Sequence, residues 1–115
     1  MNSSRIVRKK VSREGLTIYL NYLEFENGCI VILSEGKERL GTVAVAIPAS
    51  VGLPISQAVL GDKWAMSSRL IAEHLAKKTG KICIVSINMG AMRAGEFERT
   101  LISLIEDALA EGEET

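Results

Sequence analysis

The chain has 115 residues, of which 47% are hydrophobic, 4% are aromatic and 24% are charged. A chain of this length forms one small domain with enough apolar residues for a core. Its 14 basic and 14 acidic residues cancel, which argues against broad electrostatic capture of nucleic acid or of an acidic membrane. The low aromatic content argues against a base-stacking surface, which needs several exposed rings.

The charges are unevenly distributed along the chain, and this distribution suggests the domain limits. We predict a flexible basic segment over residues 1–13, a single domain over residues 14–111 and an acidic tail over residues 112–115. Apolar runs are too short to span a bilayer, and the head lacks the pattern of a secretion signal, so we expect a cytoplasmic protein. The basic residues of the head are Arg5, Arg8, Lys9, Lys10 and Arg13.

Short segments with the alternation of strands occupy the N-terminal half. Residues 16–22 place apolar side chains at even positions and a mixed set at odd positions, which predicts a strand with one strongly apolar face. Asn27 and Gly28 tolerate positive φ and predict a tight hairpin turn into the next strand. The predicted strands cover residues 16–22, 29–33, 42–47, about 55–59, and 82–87.

Two amphipathic helices complete the predicted elements. The first begins near Asp62, a suitable N-cap, with Ser67 as the rival cap. It ends at Gly80, because glycine accepts the left-handed conformation that stops many helices. The second covers roughly residues 96–110, and its apolar arc extends over nearly half of the circumference.

These elements predict an α+β fold, with a mainly antiparallel sheet of about five to six strands and two helices packed on it. The strands at residues 29–33 and 82–87 are apolar on both faces, which is typical of a sheet buried on both sides. If both helices lie on one side, five strands leave roughly 400 Å² of flat sheet uncovered. A second protein is the simplest cover for that surface.

Residue types suited to catalysis or metal binding are scarce. His74 is the single histidine, and we expect it to be partly covered on its helix. Cys29 and Cys83 each lie in an apolar stretch, where cysteine usually serves as a small buried hydrophobe. No serine has a base and an orienting group nearby in the sequence. We therefore predict no catalytic residue, no metal ligand and no cofactor.

Two sets of residues are candidates for contacts with other proteins. One lies in the loop after the last strand, where methionine offers adaptable apolar contact and arginine a directional charge. The other comprises the apolar members of the mixed face in the first hairpin and predicts a dimer interface. Packing within the chain is the alternative for both sets. The partner-binding set is Met89, Met92 and Arg93, and the dimer set is Tyr19, Leu23 and Phe25.

Several short motifs between residues 40 and 109 occur in an order and spacing that match a known family. The motifs are Leu40 with Val43, Ala44, Val45 and Ala46; Pro54, Ile55 and Ser56 leading to Leu60, Gly61 and Asp62; Leu75, Ala76, Lys78, Thr79 and Lys81; Val85, Ser86 and Asn88; and the amphipathic helix from Phe97. In these features the chain resembles proteasome assembly chaperone 4, a family of small non-enzymatic proteins.

The resemblance implies an antiparallel sheet with helices against it and a dimer formed with assembly chaperone 3 or with a second copy. The dimer would hold a proteasome α subunit during assembly of the α ring. We therefore expect a non-enzymatic chaperone that binds a second chaperone chain and an α subunit, but no nucleic acid and no membrane. The alternative is a small-ligand-binding or regulatory dimeric domain with its ligand near Gly61 and Asp62.

Overall fold

Eight secondary-structure elements make up the part of the chain that the computed structural model describes, which is residues 5–13, 15–49, 55–60, 64–90 and 96–113. Five of the six strands match predicted strands, with bounds that differ by a few residues. The elements are β1 (Arg5–Arg13), β2 (Leu16–Glu24), β3 (Gly28–Glu35), β4 (Thr42–Ile47), β5 (Ile55–Leu60), α1 (Ala65–Thr79), β6 (Ile82–Asn88) and α2 (Glu96–Glu113).

The six strands form one sheet in the order β1-β2-β3-β6-β4-β5. The pairing of β3 with β6 is parallel, and the other four pairings are antiparallel. The last strand in the sequence is therefore central in the sheet. The predicted α+β fold, with a mainly antiparallel sheet and two helices, is confirmed.

Strand β1 corrects the predicted domain limits at the N-terminus. It pairs with β2 along its whole length, from Arg5 opposite Glu24 to Arg13 opposite Leu16. Val7 packs against the core from this strand. The basic residues concealed its alternation in the sequence, although charged side chains are common on edge strands because they discourage further pairing. The prediction of a flexible segment over residues 1–13 is wrong for residues 5–13.

Both helices pack on the same face of the sheet, which was the condition for an uncovered sheet face in the sequence-based prediction. Helix α1 packs on β4, β5 and β6, and α2 contacts α1 and β1. The smallest dimension of the molecule is 20 Å, which corresponds to two layers about 10 Å apart. The fully buried side chains of the core include Ile18, Leu20, Tyr22, Val31, Leu33, Ile71, Leu75, Val85, Ile87, Leu101 and Ile105.

The C-terminal end of α1 is where the sequence predicts it, whereas the start of α1 and the end of α2 differ from the prediction. Trp64 occupies the N-cap with a left-handed φ of 70°. Ser67 lies inside the helix and is buried, so its prediction as a rival cap is wrong, and Asp62 lies outside the described residues. Gly80 ends the helix with a φ of 71°, as predicted. Helix α2 runs to Glu113, so the predicted acidic tail begins within it. Neither described helix is long and apolar enough to cross a membrane.

The connection between β3 and β4 passes over the end of β6, because both strands pair with β6. The Asn88 side-chain amide donates a hydrogen bond to the Leu40 carbonyl at 3.1 Å, and the Gly41 N–H donates one to Ser86 Oγ at 2.9 Å. A Cβ atom at Gly41 would lie 2.2 Å from the Ile87 carbonyl oxygen. The crossing therefore needs a residue without a side chain.

We expect Gly41→Ala to destabilise the protein by about 1–3 kcal/mol, because the added methyl group forces the crossing away from β6. The midpoint of urea unfolding measures this change. The matched control is Gly90→Ala, where the nearest atom to a Cβ would be a Glu35 carboxylate oxygen at 3.9 Å, and where we expect a change within about 0.5 kcal/mol. Equal effects of the two substitutions would contradict the proposed tight crossing.

Candidate functional site

The face of the sheet opposite the helices is largely apolar and has no second layer among the described residues. Register pairs Leu23 with both Ile6 and Ile30, and directly paired residues point to the same face. The exposed fractions are 68% for Ile6 and 71% for Ile55, at opposite edges of the sheet. We call this surface the open face. Its apolar members are Ile6, Tyr19, Leu23, Ile30, Ile32, Val43, Val45, Ile47, Ile55, Val59 and Ile84.

The residues predicted for a dimer interface all lie outside the buried core. Tyr19 and Leu23 are half-buried on the open face, and Phe25 is exposed at the β2–β3 hairpin. The Lys10 ammonium lies 5.8 Å from the centroid of the Tyr19 ring, which suits a weak cation–π contact. The structure thus brings the three residues to a surface that the helices leave uncovered, and contact with a second chain stays a prediction.

The residues predicted for partner binding are placed differently. Met89 is only 2% exposed and belongs to the core, so the alternative of packing within the chain holds for it. Its carbonyl accepts a hydrogen bond from the Trp64 indole N–H at 2.7 Å, which ties the start of α1 to the end of β6. Met92 and Arg93 lie outside the described residues, as do Gly61 and Asp62.

A network of three polar side chains, which we call the clasp, lies above β1 and β2 on the open face. Glu38, in the β3–β4 loop, accepts hydrogen bonds from Arg8 Nη2 at 2.8 and 2.9 Å and from Asn21 Nδ2 at 2.9 Å. Arg8 Nε also donates to Asn21 Oδ1 at 2.8 Å. The hydrogen bonds from Arg8 and then from Asn21 lower the pKa of the Glu38 carboxyl. The clasp therefore ties the loop to the sheet beneath it while Glu38 is ionised.

Beside the clasp is a recess of about 430 Å³. The clasp and Arg39 form its polar rim, whereas Ile6, Leu23, Ile32 and Leu40 supply apolar walls. This volume falls within the range of about 300–1,000 Å³ that ligand pockets occupy. Apolar pockets of this kind also receive the anchor side chains of protein partners. The recess is a concave site on the open face.

The two cysteines and the histidine take part in packing and surface contacts. Cys29 and Cys83 are opposite each other on β3 and β6, with their Sγ atoms 2.8 Å apart. Both are buried, as predicted. The hydrogen bond with Cys83, together with burial, raises the pKa of the Cys29 thiol, so that thiol stays protonated at neutral pH. His74 Nε2 lies 2.9 Å from a Glu106 carboxylate oxygen and links α1 to α2.

Chemical groups that would hold a metal ion are not assembled in the described part of the chain, where no cluster of three His, Cys, Asp or Glu side chains occurs. The clasp and the recess could not be predicted from the sequence, because Arg8 and Glu38 are 30 residues apart. Val7 and Val11, which alternate with Arg8, Lys10 and Ser12 and pack against the core, were the available signal for β1. No local pattern indicates that the β3–β4 loop reaches back over β1.

Comparison with known proteins identifies relatives at the level of family and fold. A family model described as proteasome assembly chaperone 4 matches residues 17–89, which is more than half of the 115 residues. Curated proteins provide no match at a significant level.

Among solved structures, the chain resembles one chain of a yeast complex described as a novel chaperone complex for 20S proteasome assembly. The TM-score is 0.68 at 11% sequence identity, and the similarity covers 92% of this chain and 98% of that chain. At such low identity the resemblance shows a shared fold. The shared architecture extends over nearly the whole length of both chains.

We expect Glu38→Gln to flatten the acid limb of the stability curve. Because the clasp lowers the folded-state pKa of Glu38, its stabilisation is complete above the unfolded value of about 4.3 and is lost as the pH falls through the folded value. Urea midpoints measured from neutral to acid pH test this expectation. The control is Glu26→Gln, in the exposed β2–β3 turn. If all three proteins lose stability in parallel, the clasp does not contribute to it.

Proposed function

Because this chain belongs to the proteasome assembly chaperone 4 family, we propose that it is a dimeric assembly chaperone that binds proteasome α subunits and promotes formation of the α ring. It works through contact surfaces and without catalysis, in the cytoplasm. Its partners are a second chaperone chain, either another copy or the related assembly chaperone 3, and an α subunit. A factor of this kind must bind an intermediate more tightly than the finished particle, so that it is released at the end.

The observation that supports a dimer most strongly is the open face. Six strands about 4.8 Å apart and about 20 Å long present about 600 Å² of flat sheet. The largest apolar patch of a typical monomer is about 300–600 Å², and a standard interface buries about 800 Å² per partner. A second chain over this face would therefore remove from water a surface at the upper end of the range for monomers, much of it apolar. Tyr19 and Leu23 then belong to the dimer interface, with Phe25 at its edge.

The client surface must lie elsewhere, because the dimer occupies the open face. We place it at the start of α1 and in the loop after β6, which the hydrogen bond from Trp64 to the Met89 carbonyl holds together. Met66 is 64% exposed and Leu70 is 45% exposed on the outer side of α1. These apolar side chains suit a contact of modest area that is later released. Met92 and Arg93 are the proposed client contacts of the loop.

Substitution at the centre of the open face tests the dimer. We expect Val45→Lys to weaken dimerisation at least about 100-fold, because a buried and unpaired ammonium is costly at an interface. Sedimentation equilibrium over a range of concentrations measures the dissociation constant. The matched control is Met66→Lys on the opposite surface, which should leave dimerisation unchanged. A wild-type chain that stays monomeric, alone and with assembly chaperone 3, would refute the dimer.

Substitution on α1 tests the client contact. We expect Met66→Lys to reduce capture of purified α subunits at least about tenfold, since a charge replaces an apolar contact, while the dimer stays intact. The control is the reverse exchange, Lys77→Met, on the last turn of α1, which should leave capture of α subunits unchanged. The yield of α rings provides the functional measurement. If no α subunit binds the wild-type dimer, the proposed function is wrong.

A further inference from the structure

The open face has two unlike halves, which we call the basic half and the apolar half. The basic half carries the recess and brings three cations against the single carboxylate of Glu38. The apolar half has no charged side chain, and at its edge Ile55 is 71% and Val59 is 62% exposed. The basic half consists of Ile6, Arg8, Lys10, Tyr19, Asn21, Leu23, Glu38, Arg39 and Leu40. The apolar half consists of Val43, Val45, Ile47, Ile55, Gln57 and Val59.

Contacts on the other side of β5 establish which of its side chains belong to the open face. Ser56 donates a hydrogen bond to the Glu73 carboxylate of α1 and accepts one from Arg69 Nε at 3.1 Å. Since side chains alternate along a strand, Ile55 and Gln57 point away from α1. Gln57 is paired with Val45 and is exposed.

We propose that a second copy of this chain covers the open face so that the apolar half of each copy lies on the basic half of the other. This inference rests on the proposed dimer and adds its orientation and the identity of the partner. The two-fold axis runs parallel to the strands, between the two sheets and close to β3 and β6. Strand β5 of each copy then lies across β1 and β2 of the other.

The sheet register shows which side chains meet in this orientation. Directly paired side chains form a row that runs across the six strands. Rotation about an axis parallel to the strands keeps a side chain at the same level along the strands, but it places the β1 end of each row over the β5 end of the same row in the partner. Ile6 and Leu23 of one copy therefore face Gln57 and Val45 of its partner, and the isoleucines of β3 and β6 meet at the centre. Aligned sheets cross at about 30°, so rows stay close near the axis. The row in question is Ile6, Leu23, Ile30, Ile84, Val45 and Gln57.

Charge distinguishes this orientation from the other two-fold arrangement of stacked sheets. An axis perpendicular to the strands would place β1 on β1 and bring Arg8 and Lys10 near the same residues of the partner. Like charges facing each other across an interface are strongly unfavourable. In the proposed orientation Arg8 and Lys10 of the edge strand β1 face the uncharged edge strand β5. Their aliphatic stems can pack on it while their charged ends reach the solvent at the rim.

Shape favours the same orientation. The recess of about 430 Å³ lies on β1 and β2, and Val59, which is 62% exposed, lies at the opposite edge of the face. Stacking the apolar half on the basic half brings Val59, near the level of Val43 and Arg8, to the recess of the partner. Both complementary surfaces belong to one chain, so two identical copies make the same contact twice, as a closed two-fold dimer requires.

Two substitutions of similar size and opposite charge at Gln57 test the orientation. Gln57→Glu places a carboxylate near Arg8 and Arg39 of the partner, whereas Gln57→Lys adds a fourth cation there. We expect the Lys variant to dimerise at least about tenfold more weakly than the Glu variant. The difference should shrink near 1 M salt, where the Debye length is about 3 Å. Sedimentation equilibrium measures both constants, and thermal unfolding verifies that both variants fold.

A charge reversal on the other half provides the second measurement. Adding Arg39→Glu to the Gln57→Lys variant should recover most of the lost dimer affinity. Adding Arg39→Glu to the Gln57→Glu variant should instead weaken the dimer. If the wild-type chain dimerises and the two Gln57 variants have equal dissociation constants, the orientation is wrong and the proposed function stays intact. A chain that is monomeric alone and pairs only with assembly chaperone 3 would overturn the second copy as partner.

Discussion

The burial of one face of a six-stranded sheet under two helices determines the rest of this structure. Helix α1 covers β4, β5 and β6, and α2 completes the layer beside β1. Each strand has only two faces, so the side chains of the opposite rows point away from this core. Removing apolar surface from water yields about 25 cal/mol per Å². A largely apolar sheet face without a cover among the described residues is therefore costly to leave in water, which supports the proposal that a second protein covers it.

Strand β6 connects the core to the open face, because β3 and β4 both pair with it. The chain can reach β4 only by crossing the end of β6, and the crossing at Gly41 leaves the β3–β4 loop on the open side of the sheet. The clasp ties that loop to β1 and β2 through Arg8 and Glu38. One constraint of topology thus produces the recess and brings Glu38 and Arg39 of the loop beside Arg8 of β1.

The polar groups and the thiols of the described residues take part in surface contacts and in packing. The ion pairs, such as Lys78 with Glu106, are at least partly exposed, where each contributes little to stability. The buried thiols of Cys29 and Cys83 face each other within the core. What distinguishes the chain is the shape and composition of its surfaces, which matches membership of a family of assembly chaperones.

The sequence by itself determined most of the local structure. Alternation and short apolar runs predicted five strands, helical periodicity predicted both helices, and Gly80 marked the end of α1. It did not reveal β1, because Arg8 and Lys10 replaced the apolar residues that usually mark one face of a strand. Only the tertiary structure decided that β6 lies between β3 and β4, that both helices share one face, that Met89 is buried and that Glu38 reaches Arg8. Local patterns record the preferences of neighbouring residues, whereas these features depend on contacts between distant segments, whose energies are settled only when the whole sheet is assembled.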